Sequence, residues 1–313
     1  MTNTIRIGTR KSKLAVWQAE FVADKLKAGG LSTELVLIET KGDQVLDVAI
    51  SKIGSKGVFT EELETMLASG AIDIAVHSAK DLQSHLPEGF SIIAYTEREI
   101  VNDVLISRNS QHKLTSDQHL IVGTSSTRRR AILAHYFPHV QTVDIRGNLQ
   151  TRIARMDEGR CDAIILAYAG VHRMGYDNLI CELLDTNIFT PPVGQGCIAI
   201  EASDTLEQYK KDRIVSLLNH VHTEIELTAE RAFLYKLHGG CSIPAFALAR
   251  RNGSNTLKLL AGIYSLDGTK SVIKKIEAPE NEALKTGLTL AEEILNNGGS
   301  EILKEIRQQL DQN

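Results

Sequence analysis

Aromatic residues make up only 5% of this 313-residue chain, which has one tryptophan, six prolines and four cysteines. The cysteines, Cys161, Cys181, Cys197 and Cys241, are scattered and form no CxxC pair, so the spacing of a structural zinc site is missing and reduced thiols are expected. No run approaches the roughly 18 apolar residues that a membrane-spanning helix needs. The opening MTNTIRIG reads straight into a strand rather than into a cationic segment followed by an apolar run, which predicts a cytoplasmic protein. A Walker A loop and a GxGxxG fingerprint are both absent. The net charge of −4 argues against general affinity for nucleic acid or membrane surfaces.

What is present is an ordinary globular composition, 42% hydrophobic and 24% charged, in a chain long enough for two or three domains. Thr4–Thr9 reads as a strand. Ser12 caps a helix over Lys13–Ala28, which Gly29-Gly30 stops. Ser32–Thr40 alternates as a strand, Thr60 opens a helix through Ser69, and Ile72–His77 is a short apolar strand. The middle third repeats the plan: IVGTSSTRRRAIL parallels RIGTRKSKLAVWQ, each reading strand, Gly-Thr, polar turn, helix. The strand Val140–Arg146, the helix Asn148–Asp157 and the strand Asp162–Ala167 follow, with Cys181 in a helix-like apolar run. Alternation of this kind predicts two α/β lobes, parallel strands covered by helices, with strand ends and helix N-termini turned to a shared cleft that binds anions. Gly196–Ala202 is strand-like again and is expected to return to the first lobe's sheet. A helix over Thr223–Leu237, then strands near 246–249, 257–264 and 271–276 and helices in 281–296 and 299–310, predict a small α+β unit.

Positive charge is concentrated. From Ile121 to Arg173 there are eight arginines (Arg128, Arg129, Arg130, Arg146, Arg152, Arg155, Arg160 and Arg173), no lysine and four acids. Guanidinium forks pair with carboxylate or phosphate through two parallel hydrogen bonds. Without aromatic interleaving, RNA fits poorly and a small polycarboxylate fits better. Arg160 and Arg155 suit a solvated helix face, whereas Arg146, at a strand end before Gly147-Asn148, does not. In VHSAKDLQ the chain leaves an apolar strand and presents His77, Ser78, Lys80 and Asp81, where open α/β sheets bind ligands. His77 reads as structural. Asp81 is able to hold a cationic intermediate and shuttle protons, or merely to cap its own turn. Cys161 and Cys197 read as buried inert thiols; Cys241, in HGGCSIP, is the cysteine with a loop context suited to chemistry.

The segments IRIGTRKSKLAVWQ, GSKGVF, DIAVHSAKD, VGTSSTRRR, IRGNLQTR, DAIILAYAG, PPVGQG, TAERAFL and GGCSIP, in this order and spacing, resemble the hydroxymethylbilane synthase (porphobilinogen deaminase) family over essentially the full length. The resemblance implies two type II periplasmic-binding-protein-like α/β lobes with mixed sheets and a small α+β C-terminal domain. The expected spans are 1–98 with 196–218, 99–195, and 219–313. It implies a dipyrromethane cofactor attached through a thioether to Cys241, and stepwise condensation of four porphobilinogen molecules with loss of ammonia. Water then releases linear hydroxymethylbilane for tetrapyrrole and heme biosynthesis. Asp81 would act as the proton donor and cation stabiliser, with Lys80 on cofactor carboxylates. Thr124, Ser126, Arg128, Arg129, Arg146 and Asn148, with Ser12, would bind the cofactor. Arg10, Ser12, Arg146, Arg152, Arg173 and Gln195 would serve the substrate side, Lys56 and Phe59 would belong to a loop over the cleft, and a monomer would suffice. The chain departs from the commoner pattern at Ala79, Leu82-Gln83, Thr127 and His238, where glutamate is usual. The alternative is a non-catalytic two-lobed anion- or solute-binding protein, which would need neither Cys241 nor Asp81.

Overall fold

A computed structural model describes residues 4–40, 60–115, 117–240 and 242–312. The first sheet holds β1 (Thr4–Arg10), β2 (Ser32–Ile38), β3 (Ile74–Ser78), β4 (Phe90–Tyr95) and β10 (Ile198–Ser203) in the order β2-β1-β3-β10-β4. The second holds β5 (Asp103–Ile106), β6 (Ile121–Gly123), β7 (Gln141–Val143), β8 (Ala163–Ala167) and β9 (Ile180–Leu183) in the order β7-β6-β8-β5-β9. β1 is parallel to β2 and β3, and β10 is antiparallel to β3 and β4. Likewise β6 is parallel to β7 and β8, while β5 is antiparallel to β8 and β9. Both sheets therefore share one plan, in which a reversed strand is inserted beside a parallel trio. The all-parallel expectation from strand–helix alternation fails at these inserted strands, and β10 returns to the first sheet as its sequence implied.

The helices are α1 (Lys13–Ala28), α2 (Glu61–Ala68), α3 (Thr127–Tyr136), α4 (Leu149–Asp157), α5 (Tyr168–Arg173), α6 (Gln208–Leu218) and α7 (Val221–Leu237), then α8 (Ala283–Ile294) and α9 (Ser300–Asp311). Ser12 starts α1 by accepting a hydrogen bond from the Ala15 amide, and the buried face runs through Gln18, Ala19, Val22, Ala23 and Leu26. Burying each such Val or Leu contributes about 1.5–3 kcal/mol. α3 is different: its buried residues include Arg128 and Arg129 beside Ala131, Ile132 and Leu133, so amphipathic periodicity alone does not describe it. The expected strand Val140–Arg146 is limited to Gln141–Val143, because Ile145 turns in as a buried core residue and Gly147 takes φ +103°. Cys181 lies in β9 rather than in a helix.

The C-terminal α+β region packs α7 and α8 on the antiparallel sheet of β11 (Ala245–Asn252), β12 (Thr256–Tyr264) and β13 (Ser271–Pro279), around Phe233, Leu257, Leu259, Ile263, Leu290 and Ile294. Phe246 and Tyr264 are buried instead with Leu133 and Phe189 of the second lobe, which docks this region beside the cleft. Among the described residues, no helix is long and apolar enough to cross a membrane.

Candidate functional site

The parallel strands of each lobe end on one edge, and the polar residues of the site follow those ends. β1 closes at Arg10 and hands over to Ser12 at the start of α1; β3 closes at Ser78 and runs into the single turn Ala79–Asp81. In the second lobe β6 leads through Thr124 to Ser126, which caps α3 by accepting from the Arg129 amide. Asn148 caps α4, its Oδ1 accepting from the Thr151 amide at 2.9 Å. First-turn amides and the helix dipole favour anions at such junctions.

Electrostatic coupling ties the two edges together. Lys80 is half-buried, and its amine is pushed down to about 8, chiefly by burial, with Asp81 opposing and Arg129 and Arg128 adding to the depression. Arg152, which donates from Nε to the Gly147 carbonyl at 2.8 Å, is lowered to about 10 by burial and by Arg129, against the pull of Asp81 and Asp144. Asp81 itself is exposed. Arg146 is partly occupied by Asp144, with Nε 2.7 Å from Oδ2. Burial is the first cause of both shifts, and neighbouring guanidiniums add to it.

Arg128 and Arg129 have a distinct environment. Both are buried, and they share Asp103: Arg128 Nη2 lies 2.6 Å from Oδ2 and Arg129 Nη2 2.7 Å from Oδ1. Their other Nη atoms donate to the carbonyls of Thr190 and Ile165, each at 2.8 Å. Two of Arg128's N–H donors are thus engaged. Arg129 keeps a buried Nε that has no hydrogen-bond partner among the described residues. Gln195, fully buried, donates from Nε2 to Asp103 at 2.9 Å and to the Val101 carbonyl at 2.7 Å, so the crossing segment is tied to the same carboxylate. Sequence reasoning missed Asp103, which lies in a strand it did not name.

The crossing is built tightly. Gly194 takes φ +76°, and a Cβ there would stand 2.9 Å from the Ala79 carbonyl carbon, directly against the turn that carries Lys80 and Asp81. Arg98, also overlooked, donates to the Gln195 carbonyl at 2.9 Å and to both oxygens of Glu230 at 2.6 and 3.1 Å. Glu230 in turn accepts from the amides of Gly194 and Ala249, linking crossing, first lobe and C-terminal region. Arg173 donates to the Gly196 carbonyl at 2.8 Å and lies over the Trp17 ring at 5.4 Å. A cavity of about 30 Å³ separates the lobes here, bordered by Gln18, Ser78, Lys80, Gly170, Arg173 and Cys197. Burial pushes the Cys197 thiol up to about 12, and Cys161 is buried; both suit inert thiols. His77 is buried beside Glu201 at 2.9 Å, a structural position. Arg160 pairs on the surface with Glu158. Arg10 is half-buried at the end of β1. Cys241, Lys56 and Phe59 lie outside the described residues.

A family model described as "Porphobilinogen deaminase, dipyromethane cofactor binding domain" matches residues 5–211, and "Porphobilinogen deaminase, C-terminal domain" matches residues 224–296. A porphobilinogen deaminase of Desulfosudis oleivorans is 56% identical over 97% of this chain and 98% of its own length. One from Cytophaga hutchinsonii is 56% identical over 99% of each. Among solved structures, the methionine binding protein MetQ overlaps 69% of this chain and 90% of its own, at 13% identity and a TM-score of 0.43, too loose an overlap to carry weight.

Proposed function

Because the chain belongs to the porphobilinogen deaminase family, whose members are transferases, we propose that it is a hydroxymethylbilane synthase. It joins four porphobilinogen molecules head to tail, losing one ammonia at each condensation and taking up water at release, on a dipyrromethane bound through the Cys241 sulfur. It acts as a cytoplasmic monomer, with the residue spans 1–98 with 196–218, 99–195 and 219–313 as its three domains.

One observation carries this reading: within the stretch that matches the cofactor-binding domain, Lys80 and Arg152 couple to Asp81 beside Arg129, whose buried Nε has no partner among the described residues. Such a surface fits a ligand rich in carboxylates, since each acetate or propionate brought in offsets a cation already paired poorly. The residues present therefore suit a dipyrromethane. Lys80, the free Nε edge of Arg129, Arg146, and the helix starts at Ser126 and Asn148 would hold it, with Thr124 and Ser12 beside them. When bound, that group supplies the nucleophilic pyrrole carbon for the first condensation. Arg10, Ser12, Arg146, Arg152, Arg173 and Gln195 serve the incoming substrate. Arg128, bonded to Asp103 and the Thr190 carbonyl, acts from behind them. Asp81, exposed at the cleft and coupled to Lys80 and Arg152, gives a proton to the departing amine and accepts from pyrrole N–H groups. Lys56 and Phe59 belong to the loop that covers the cleft.

The test is turnover of porphobilinogen by wild type and Asp81→Ala. Wild type is expected to form hydroxymethylbilane, and the variant to keep its fold and its bound cofactor while losing nearly all turnover. Wild-type rates in Asp81→Ala would remove that carboxylate from the mechanism.

A further inference from the structure

We infer that His85 and His238 form a binding site for a divalent transition-metal ion of the zinc type, bridging the loop after Asp81 to the end of α7. His85 Nε2 stands 3.3 Å from His238 Nδ1. The ring planes are 4° apart with centroids at 5.4 Å, so the imidazoles meet nitrogen to nitrogen. Both side chains are exposed. With no ion bound, one neutral ring donates a proton to the other's lone pair. Two nitrogens, each about 2.0–2.1 Å from a tetrahedral zinc ion, stand roughly 3.3–3.4 Å apart. The pair already has that separation, and a modest turn of each ring brings both lone pairs to one point.

The surroundings hold the pair in place. His238 ends α7 in the left-handed conformation, φ 48°, and its amide donates to the Tyr235 carbonyl at 3.0 Å. The Tyr235 ring lies 4.2 Å from that of His85. Arg231, one turn earlier on α7, donates to the Gln83 carbonyl at 3.0 Å, which pins the His85 loop to the same helix. Imidazole nitrogen favours zinc, copper and nickel, whereas magnesium and calcium favour oxygen. Among the described residues no cluster of three ligating side chains exists, so water completes the coordination and the site is an open one. Binding of an ion by the two rings does not depend on the reaction proposed above. Its geometric consequence is direct: an ion held by both rings couples the loop four residues past Asp81 to the residue three before Cys241.

Calorimetric titration of the tag-free, cofactor-loaded protein with Zn²⁺ in excess Mg²⁺ tests this. Wild type is expected to take up one Zn²⁺ per chain, and His85→Gln and His238→Asn each to weaken binding roughly tenfold or more. Asparagine tolerates the left-handed backbone at position 238, and should that variant still lose its fold, His85→Gln decides alone. Absence of Zn²⁺ binding by wild type, or wild-type affinity in either folded variant, overturns the site.

Discussion

Asp103 sits between two buried guanidiniums, its Oδ2 2.6 Å from Arg128 and its Oδ1 2.7 Å from Arg129. That carboxylate decides how the arginines of α3 divide their work. It binds one edge of each guanidinium, and Arg129 keeps a buried Nε without a partner among the described residues.

Asp103→Asn is accordingly expected to destabilise the fold by about 3–5 kcal/mol, because it strands buried cations without changing side-chain volume. Burial alone would raise the Asp103 pKa, but the two arginines outweigh it and hold it well below the usual carboxylate range. The sign follows. Its contribution is fully present above the ordinary carboxylate pKa, about 3.9, and is lost as pH falls toward the lowered folded value. Urea unfolding as a function of pH checks both statements: the variant should lose about one proton's worth of the acid-dependent slope, and an unchanged slope would contradict the role.

Lys80 should react early with amine-acylating reagents. At pH 8 its amine, lowered to about 8, is half neutral while ordinary lysines near 10.4 stay charged. Peptide mapping after brief labelling of cofactor-free protein should place Lys80 among the first sites, and cofactor loading should slow it by supplying carboxylates. The same shift makes stability rise with pH between about 8 and roughly 10.4, since the unfolded chain holds the proton there and the folded chain does not. Labelling of Lys80 no faster than the surface lysines would contradict the shift.

Arg173→Leu removes the hydrogen bond to the Gly196 carbonyl and the contact over Trp17. Arg146→Leu removes a cation partly balanced by Asp144. Each variant is expected to stall elongation, so that intact-mass spectra of enzyme incubated with porphobilinogen accumulate a bound species of intermediate length. A product distribution identical to wild type would reduce both arginines to lobe-joining or surface roles.

Much of the architecture was legible in the chain. The paired strand–Gly-Thr–helix units around Ser12 and Ser126 announced two lobes of one plan, and GCIAIEA announced its return to the first sheet. Capping at Ser12 was legible because it is local: a side chain satisfies an amide three residues on. What stayed hidden depends on register between distant segments. Asp103 is 25 residues from Arg128 along the chain, and β5 is four residues long with no alternating pattern. Arg98 and Glu230 meet across 132 residues. The dense arginines read as one ligand-facing group, whereas packing divides them into buried, cleft-facing and solvated members, a division that charge counts do not contain.

The central claim is that the cationic cleft serves a pyrrole chain anchored on Cys241. Intact-mass and peptide-level mass spectrometry of the purified protein tests it most directly. A mass excess of two linked pyrroles, carried by the Cys241 peptide, is the result expected. A folded chain that stays unmodified even after incubation with porphobilinogen, or that carries the added mass on another residue, would contradict it.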